Sequence, residues 1–566
     1  MRGGSSVGPE KFVRLTLLLL LAGLFVQGAV SAQAQDVEVR PAALTRIVIA
    51  PPRSPVARLL RGQLRDAYYG AEKGTRAYEQ AQKLYFFYGE RGFEPLWIRV
   101  NNDAVELTPN ALKIVDVFKS AASEGLRPSD YLVPDLTTQT IAAEPKDLVA
   151  LETSFSAAAA RYAQDAYGGR ISPTAVSKMI TLAPKRIDEA ALLLGLASST
   201  DPAKVLLDLS PKHSEYLRLK AALAEFESTE LAVKRVTIPD GPTLKLGMQD
   251  ERVTALRERL SVEAPELPEG AITAAADTTY DQSLVDAVRA FQESAGIDAD
   301  GVLGPATLAT LNAPSAVTRD DILANMERWR WEPESLGAFR VEVNIPQFQL
   351  NILRDEEVVH QTRVVVGRPS NQTPIFSDEI ESVVVNPYWN VPPSIAANEI
   401  KPKLLADPHY LDGQNMELLS GTKVVNAAAV DWSTSNINAF RVRQKPGPGN
   451  ALGKIKFLFP NQHDVYLHDT PAKSLFERAY RAYSHGCVRV LNPMAFAGAL
   501  MATNPEVTQA KLEALFGENE RWVSLKTHIP VHLMYFTIRV DEDGTLRSFG
   551  DVYGHNARLI ELLNAS

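Results

Sequence analysis

A multidomain α+β architecture is what this sequence predicts, and three observations lead to it. The chain has 566 residues, more than one hydrophobic core sustains when domains run to about 100–200 residues. Its first half is helix-leaning and rich in alanine, whereas from residue 339 onward apolar and polar residues alternate in short runs, the period of half-buried strands. Composition, at 45% hydrophobic and 22% charged, is that of a folded protein and excludes a mainly disordered chain.

In chain order, residues 1–34 read as a signal peptide. Arg2, Lys11 and Arg14 precede an apolar run from Leu15 to Val26, and Ala32-Gln33-Ala34 offers a small-x-small cleavage site. The run is shorter than the roughly 18–20 residues a membrane span needs, so export is expected, with an uncleaved N-terminal anchor as the alternative. Removing this leader, which holds three basic residues against Glu10, takes the formal charge from −9 to −11. A phosphate-backbone partner is therefore disfavoured, and no nucleic acid is expected. Cys487 is the only cysteine. It cannot form an internal disulfide, and an unpaired thiol in an oxidising compartment points to chemistry.

Residues 35–238 form a helical scaffold, with alanine-rich stretches such as Leu151 to Asp165 broken by the turn Gly125-Leu126-Arg127-Pro128. The aromatic cluster Tyr85, Phe86, Phe87, Tyr88, Phe93 and Trp97 is expected to pack a core, with a glycan groove as the other reading. Residues 239–314 form a small module in which Val253, Leu256 and Leu260, then Ala287, Val288 and Phe291, mark helical faces, and Asp300-Gly301 and Gly304-Pro305 mark turns. With Phe291-Gln292, Asp300 to Leu308 and Leu311-Asn312 in that order, the module resembles the peptidoglycan-binding domain type 1 family, a three-helix fold. The resemblance implies wall binding; the apolar spacing alone implies only a core.

Thr318 with Asp321 begins a linker helix, within 315–338, that carries Ile322, Met326 and Trp329. The β-rich domain spans 339–540. Phe339, Val341, Val343 and Ile345 alternate with polar residues, and Val358–Val366, Ser382–Val385, Ile455–Phe459, Val465–His468 and Val531–Ile538 extend the series, with a helix at Pro493–Thr503. A sandwich or barrel-like sheet is expected. At about 397–453 the strand pattern lapses into a long insertion, read as a lid. Residues 541–566 form a C-terminal extension.

Tyr483-Ser484-His485-Gly486-Cys487-Val488-Arg489 puts the thiol beside a histidine, an arginine and a small backbone. A thiol needs a base or a positive charge to ionise near neutrality, which imidazole supplies. The amides of Gly486 and Cys487 are candidates for an oxyanion hole. Upstream, Val465 to His468 reads as a strand ending at a second histidine, so His468 and His485 compete for the role of base, with His485, two residues before the thiol, also read as pointing away or holding the loop.

Ser484 to Arg489, preceded by Tyr466-Leu467-His468-Asp469, resembles the L,D-transpeptidase (YkuD) catalytic domain. The domain order, with Asn386 to Pro392 and Asp541-Glu542-Asp543-Gly544, is similar to the large YcbB-type transpeptidases of Gram-negative bacteria. This resemblance implies Cys487 as nucleophile, His468 as base oriented by a backbone carbonyl, Arg489 at the mouth of the site, where it binds a stem-peptide carboxylate or else holds an exposed ion pair, and Tyr466 and Trp389 shaping the cleft or packing as core. Some YcbB-type members lack a histidine at the place of His485, which ranks it second. Implied with these are a periplasmic location, stem peptides and glycan of peptidoglycan as partners, contact with wall-synthesis or lipoprotein partners, and no cofactor. The competing readings are an L,D-carboxypeptidase, a non-catalytic wall-binding scaffold, and a zinc site built from His463, His468, His485 and Cys487.

Overall fold

The computed structural model describes residues 49–101, 104–132, 144–232, 238–260, 262, 278–294, 299–312 and 317–565. The leader read at 1–34 lies outside the described residues.

The scaffold is helical, and its helices start where the sequence supplies caps. The side chains of Ser54, Thr75, Thr108 and Asp188 accept backbone N–H groups at the starts of Pro55–Gly70, Arg76–Glu90, Pro109–Lys119 and Glu189–Ser198, satisfying donors that helix geometry leaves open. The long helix Pro145–Gly168 contains the alanine-rich stretch and packs the aromatic cluster. Trp97 stacks on Phe155 with centroids 4.9 Å apart. Buried Glu152 ties the cluster down by accepting the amides of Leu96 and Trp97 and the Tyr88 hydroxyl. Tyr85, Tyr88, Phe93 and Trp97 are buried, with Phe86 and Phe87 packed against them; the cluster is core.

The small module gathers Leu244, Val253, Leu256, Tyr280, Leu284, Val288, Leu303, Leu308 and Leu311 between helices Arg252–Leu260, Gln282–Ser294 and Pro305–Asn312. The motif pieces that carried its resemblance are structural. Buried Gln292 donates to Asp300 at 2.9 Å and accepts the Gly301 amide at 2.8 Å, where Gly301 has φ +70°.

Nine strands make the principal sheet: β1 Phe339–Asn344, β2 Gln349–Arg354, β3 Glu357–Gly367, β4 Phe376–Val385, β5 Ile455–Leu458, β6 Leu467–His468, β7 Ala482–Ser484, β8 Val488–Val490 and β9 Arg521–Met534. Their order is β7-β3-β8-β6-β5-β4-β9-β1-β2, and β2 also pairs with β3. The sheet thus closes on itself as an eight-strand ring with β7 appended, a barrel that leaves few free edges. Alternation sends Val383, Val385, Ile455, Phe457, Leu467, Val488 and Val490 into one core, so Val384, Lys456, His468 and Arg489 stand on the opposite face.

Three segments pack more closely than their place in the chain suggests. The helix Arg319–Trp331 has the expected capping box, but it is no mere linker. Its residues divide between the barrel core, which takes Ala324 and Trp331, and a second cluster, which takes Ile322, Met326 and Trp329. It also carries the fully buried Glu327–Arg330 pair at 2.8 Å, from which Glu327 accepts the scaffold's Ile171 amide. The C-terminal segment is likewise part of the catalytic fold. Leu559 and Leu563 enter the barrel core, and the Tyr553 hydroxyl donates to Gly367 O at 2.7 Å.

The insertion, finally, is folded. Trp389–Asn390, Arg441–Gln444, Met416–Ser420 and Lys423–Val425 form a four-stranded antiparallel sheet. It carries its own core of Ile400, Leu404, Leu411, Leu418, Trp432, Ile437 and Val442, among others. Its strands of two to five residues are too short to announce themselves as a period.

Candidate active site

Two adjacent parallel strands assemble the site. Leu467 pairs with Val488 and His468 with Arg489 across β6 and β8, and the Val488 amide donates to Tyr466 O at 3.1 Å. Side chains two residues apart share a face, so Tyr466, His468, Cys487 and Arg489 stand together while Leu467 and Val488 fill the barrel.

His468 is buried, and its Nδ1 lies 2.5 Å from Asp469 O. A carbonyl only accepts, so Nδ1 carries the proton and Nε2 keeps its lone pair. Burial, reinforced by the neighbouring Arg489 charge, drives its pKa down to about 3. The imidazole is therefore neutral and oriented, with Nε2 unprotonated, and the same burial makes it a weak base in the resting site. Asp469 is itself fixed, accepting the Lys454 amide at 2.9 Å and the Lys473 ammonium at 2.5 Å.

Cys487 is half-buried. Desolvation pushes its thiol up to about 11, against the opposing pull of the Tyr466 amide, the Tyr466 hydroxyl and the Arg489 charge. Near neutrality the resting pair is thiol and imidazole, not thiolate and imidazolium. Tyr466 thus neighbours the thiol, and its own hydroxyl is raised well above the ordinary range by burial and then by Cys487. Burial also lowers the Arg489 pKa, with Cys487 acting against it, and the guanidinium Nε has no hydrogen-bond partner among the described residues.

The turn before Cys487 is held from several sides. Ser484 Oγ accepts the Gly486 amide at 3.2 Å and donates to Cys487 O at 2.5 Å. Thr373 Oγ1 donates to Gly486 O at 2.7 Å and accepts the Gly367 amide at 2.8 Å. Gly486 has φ +122°, a conformation side chains rarely adopt, and that is what requires glycine there. A Cβ would find only Gln372 O, 3.6 Å away.

Three expectations change. Because its amide is spent on Ser484, Gly486 does not offer an oxyanion donor in this conformation; the Cys487 amide has no hydrogen-bond partner among the described residues. His485 is turned outward by the Gly486 kink, with Nε2 at 2.7 Å from Glu399 of the insertion and 2.8 Å from the Arg368 guanidinium. It clasps the insertion to the turn before Cys487, the loop-holding placement the sequence also allowed. Trp389 sits at the root of the insertion, in its sheet beside Gln444 and packed on its core, rather than among the groups around Cys487. The zinc candidates do not converge: His463 bonds Thr181 at 3.0 Å, and among the described residues no three such side chains are placed to hold a metal.

Sequence reasoning missed Lys456. It pairs with His468 across β5 and β6, and its position between inward-facing Ile455 and Phe457 was the available signal. The bracing roles of Ser484, Thr373 and Tyr553 had no local signal, since they depend on segments distant in sequence.

Residues 338–505 match the L,D-transpeptidase catalytic domain family (YkuD), 82–223 match a scaffold domain family, and 249–311 match the family described as "Putative peptidoglycan binding domain". A Haemophilus influenzae protein named "Putative L,D-transpeptidase" is 36% identical over 237 residues, 42% of this chain and 48% of that protein. The N-acetylmuramoyl-L-alanine amidase CwlL of Bacillus licheniformis is 41% identical over 76 residues, 13% of this chain and 20% of that protein. The chain thus spans about half or less of the relatives it matches. Among solved structures, an L,D-transpeptidase from Mycobacterium smegmatis aligns at 14% identity and a TM-score of 0.19, over 35% of this chain and 58% of that one, too slight a likeness to bear on fold or function.

Proposed function

We propose, from the match of residues 338–505 to the L,D-transpeptidase catalytic domain family, that the protein is a periplasmic peptidoglycan L,D-transpeptidase that uses Cys487 as nucleophile. The observation that carries the reading is the buried, neutral imidazole of His468, locked by Asp469 O, on the same sheet face as the only thiol in the chain.

In the first half-reaction His468 Nε2 takes the Cys487 proton as the sulfur attacks the carbonyl carbon of the third, diamino-acid residue of a tetrapeptide stem. The Cys487 amide donates to the oxyanion that develops. The C–N bond then breaks, His468 returns the proton to the departing amine, and D-alanine leaves behind a thioester. In the second half-reaction the side-chain amine of a diamino acid on a neighbouring stem attacks that carbonyl and gives its proton to His468. The sulfur departs and regains the proton as thiol, and a 3-3 cross-link results. No metal or organic cofactor enters.

The folded insertion, clasped through Glu399 to His485 two residues before the nucleophile, supports a lid that limits water at the thioester. The match at 249–311 supports anchoring to wall glycan. Purified protein incubated with tetrapeptide muropeptides, beside Cys487→Ala and His468→Ala, tests the proposal by product mass. Cross-linked dimers lacking one D-alanine, formed only by the unsubstituted protein, are expected. Tripeptides alone would make it an L,D-carboxypeptidase, and unchanged muropeptides would leave a wall-binding scaffold.

A further inference from the structure

We propose that Lys456 is a substrate-binding residue that seats the C-terminal carboxylate of the donor peptide and so confines the enzyme to stems ending one residue beyond the scissile bond. The inference rests on the acyl-transfer reading above.

Three strands in succession, β8, β6 and β5, present Arg489, His468 and Lys456 side by side, since His468 is the register partner of both. Beyond them Lys456 pairs with Val384, and Val384 with Trp522, so the row continues along one face. Lys456 is only 8% exposed, yet its ammonium has neither a hydrogen bond nor an ion pair to any described residue. Its visible company is two ring faces, Tyr466 and Trp522, each with its centroid 5.7 Å from Nζ. It feels the charges of Glu520 and then of Cys487, and Glu520 is occupied with the Tyr388 amide and the Trp522 indole. The stem of Lys456 is buried while its ammonium still reaches solvent, and two aromatic faces satisfy that charge only in part. An unpaired cation in a catalytic row is a seat for an anion.

The chemistry says which anion. The acyl carbon meets Cys487 at the β8 side, and the departing nitrogen must receive its proton from His468 on β6. In an amino-acid leaving group the carboxylate is separated from that nitrogen by one carbon. Moving one strand further, about 4.8 Å, reaches β5 and Lys456. A peptide with one more residue would place an uncharged amide there and carry its carboxylate about 3.5 Å beyond.

The test compares acylation of Cys487 by a tetrapeptide with a free C-terminal carboxylate and by the same peptide as a C-terminal amide. The unsubstituted protein should prefer the acid by roughly ten- to hundred-fold in kcat/KM, the range for a charge-assisted hydrogen bond. Lys456→Gln should lose that preference by slowing on the acid alone, and Lys456→Arg should restore much of it. Equal use of acid and amide by the unsubstituted protein overturns the proposal without recourse to any variant, as does a Lys456→Gln protein that acylates and keeps the preference. Failure of the unsubstituted protein to acylate with either peptide would instead strike the underlying reaction, and the seat with it.

Discussion

Alkylation of Cys487 by iodoacetamide should be slow at neutral pH and should accelerate far into the alkaline range. Burial lifts this thiol from the ordinary 9.0 to about 11. At pH 7 that leaves about one molecule in 10⁴ as thiolate, against about one in 10² for an ordinary thiol. Labelling should therefore be about a hundred-fold slower than for an exposed cysteine and should rise about ten-fold per pH unit until the curve bends near the thiol pKa. Because the chain holds one cysteine, intact mass after timed quenching reads this site and no other. Tyr466→Phe removes a hydroxyl that stabilises the sulfur anion, so it should move the bend to still higher pH. Fast labelling that levels off above about pH 7 would refute the reasoning, because it would mean a preformed thiolate–imidazolium pair.

The same neutral pair, with His468 held down to about 3 and Cys487 up to about 11, should give a kcat/KM for acylation that is flat from about pH 5 to about pH 9, and an inflection near 6.5 would contradict it. His468→Ala should slow acylation by roughly 10²–10⁴-fold while His485→Ala stays within about ten-fold, measured on one donor peptide. Arg330→Met leaves the Glu327 carboxylate buried without its partner and should cost about 3–5 kcal/mol in urea unfolding. Protease should leave the insertion intact in the native protein, consistent with its own core; rapid cleavage within 391–442 would argue for a loose loop instead.

What the sequence made legible was local. The capping box at Thr318, the alternation in β1 to β4 and the single thiol near two histidines all act over a few residues, and each is found in the structure. Closure of the sheet into a barrel was open to question because β2 meets β3 and β6 meets β8 through pairings that no local period encodes. His485 could be ranked second from the sequence but not placed: residues 485 and 487 would share a face in a regular strand, and φ +122° at Gly486 breaks the alternation between them. Trp389 carried an aromatic side chain in a motif, yet its β-partner is Gln444, more than fifty residues away. Lys456 was visible as a charge between two inward-facing residues, and only its pairing with His468 gave that charge a meaning.

The central claim is that Cys487 carries the acyl group, and intact-protein mass spectrometry after brief exposure to a tetrapeptide donor without acceptor tests it most directly. The account predicts an adduct equal to the donor minus D-alanine, mapped to Cys487, absent from Cys487→Ala and discharged on adding a stem-peptide amine. An unmodified Cys487 in a protein that nevertheless releases D-alanine would contradict it.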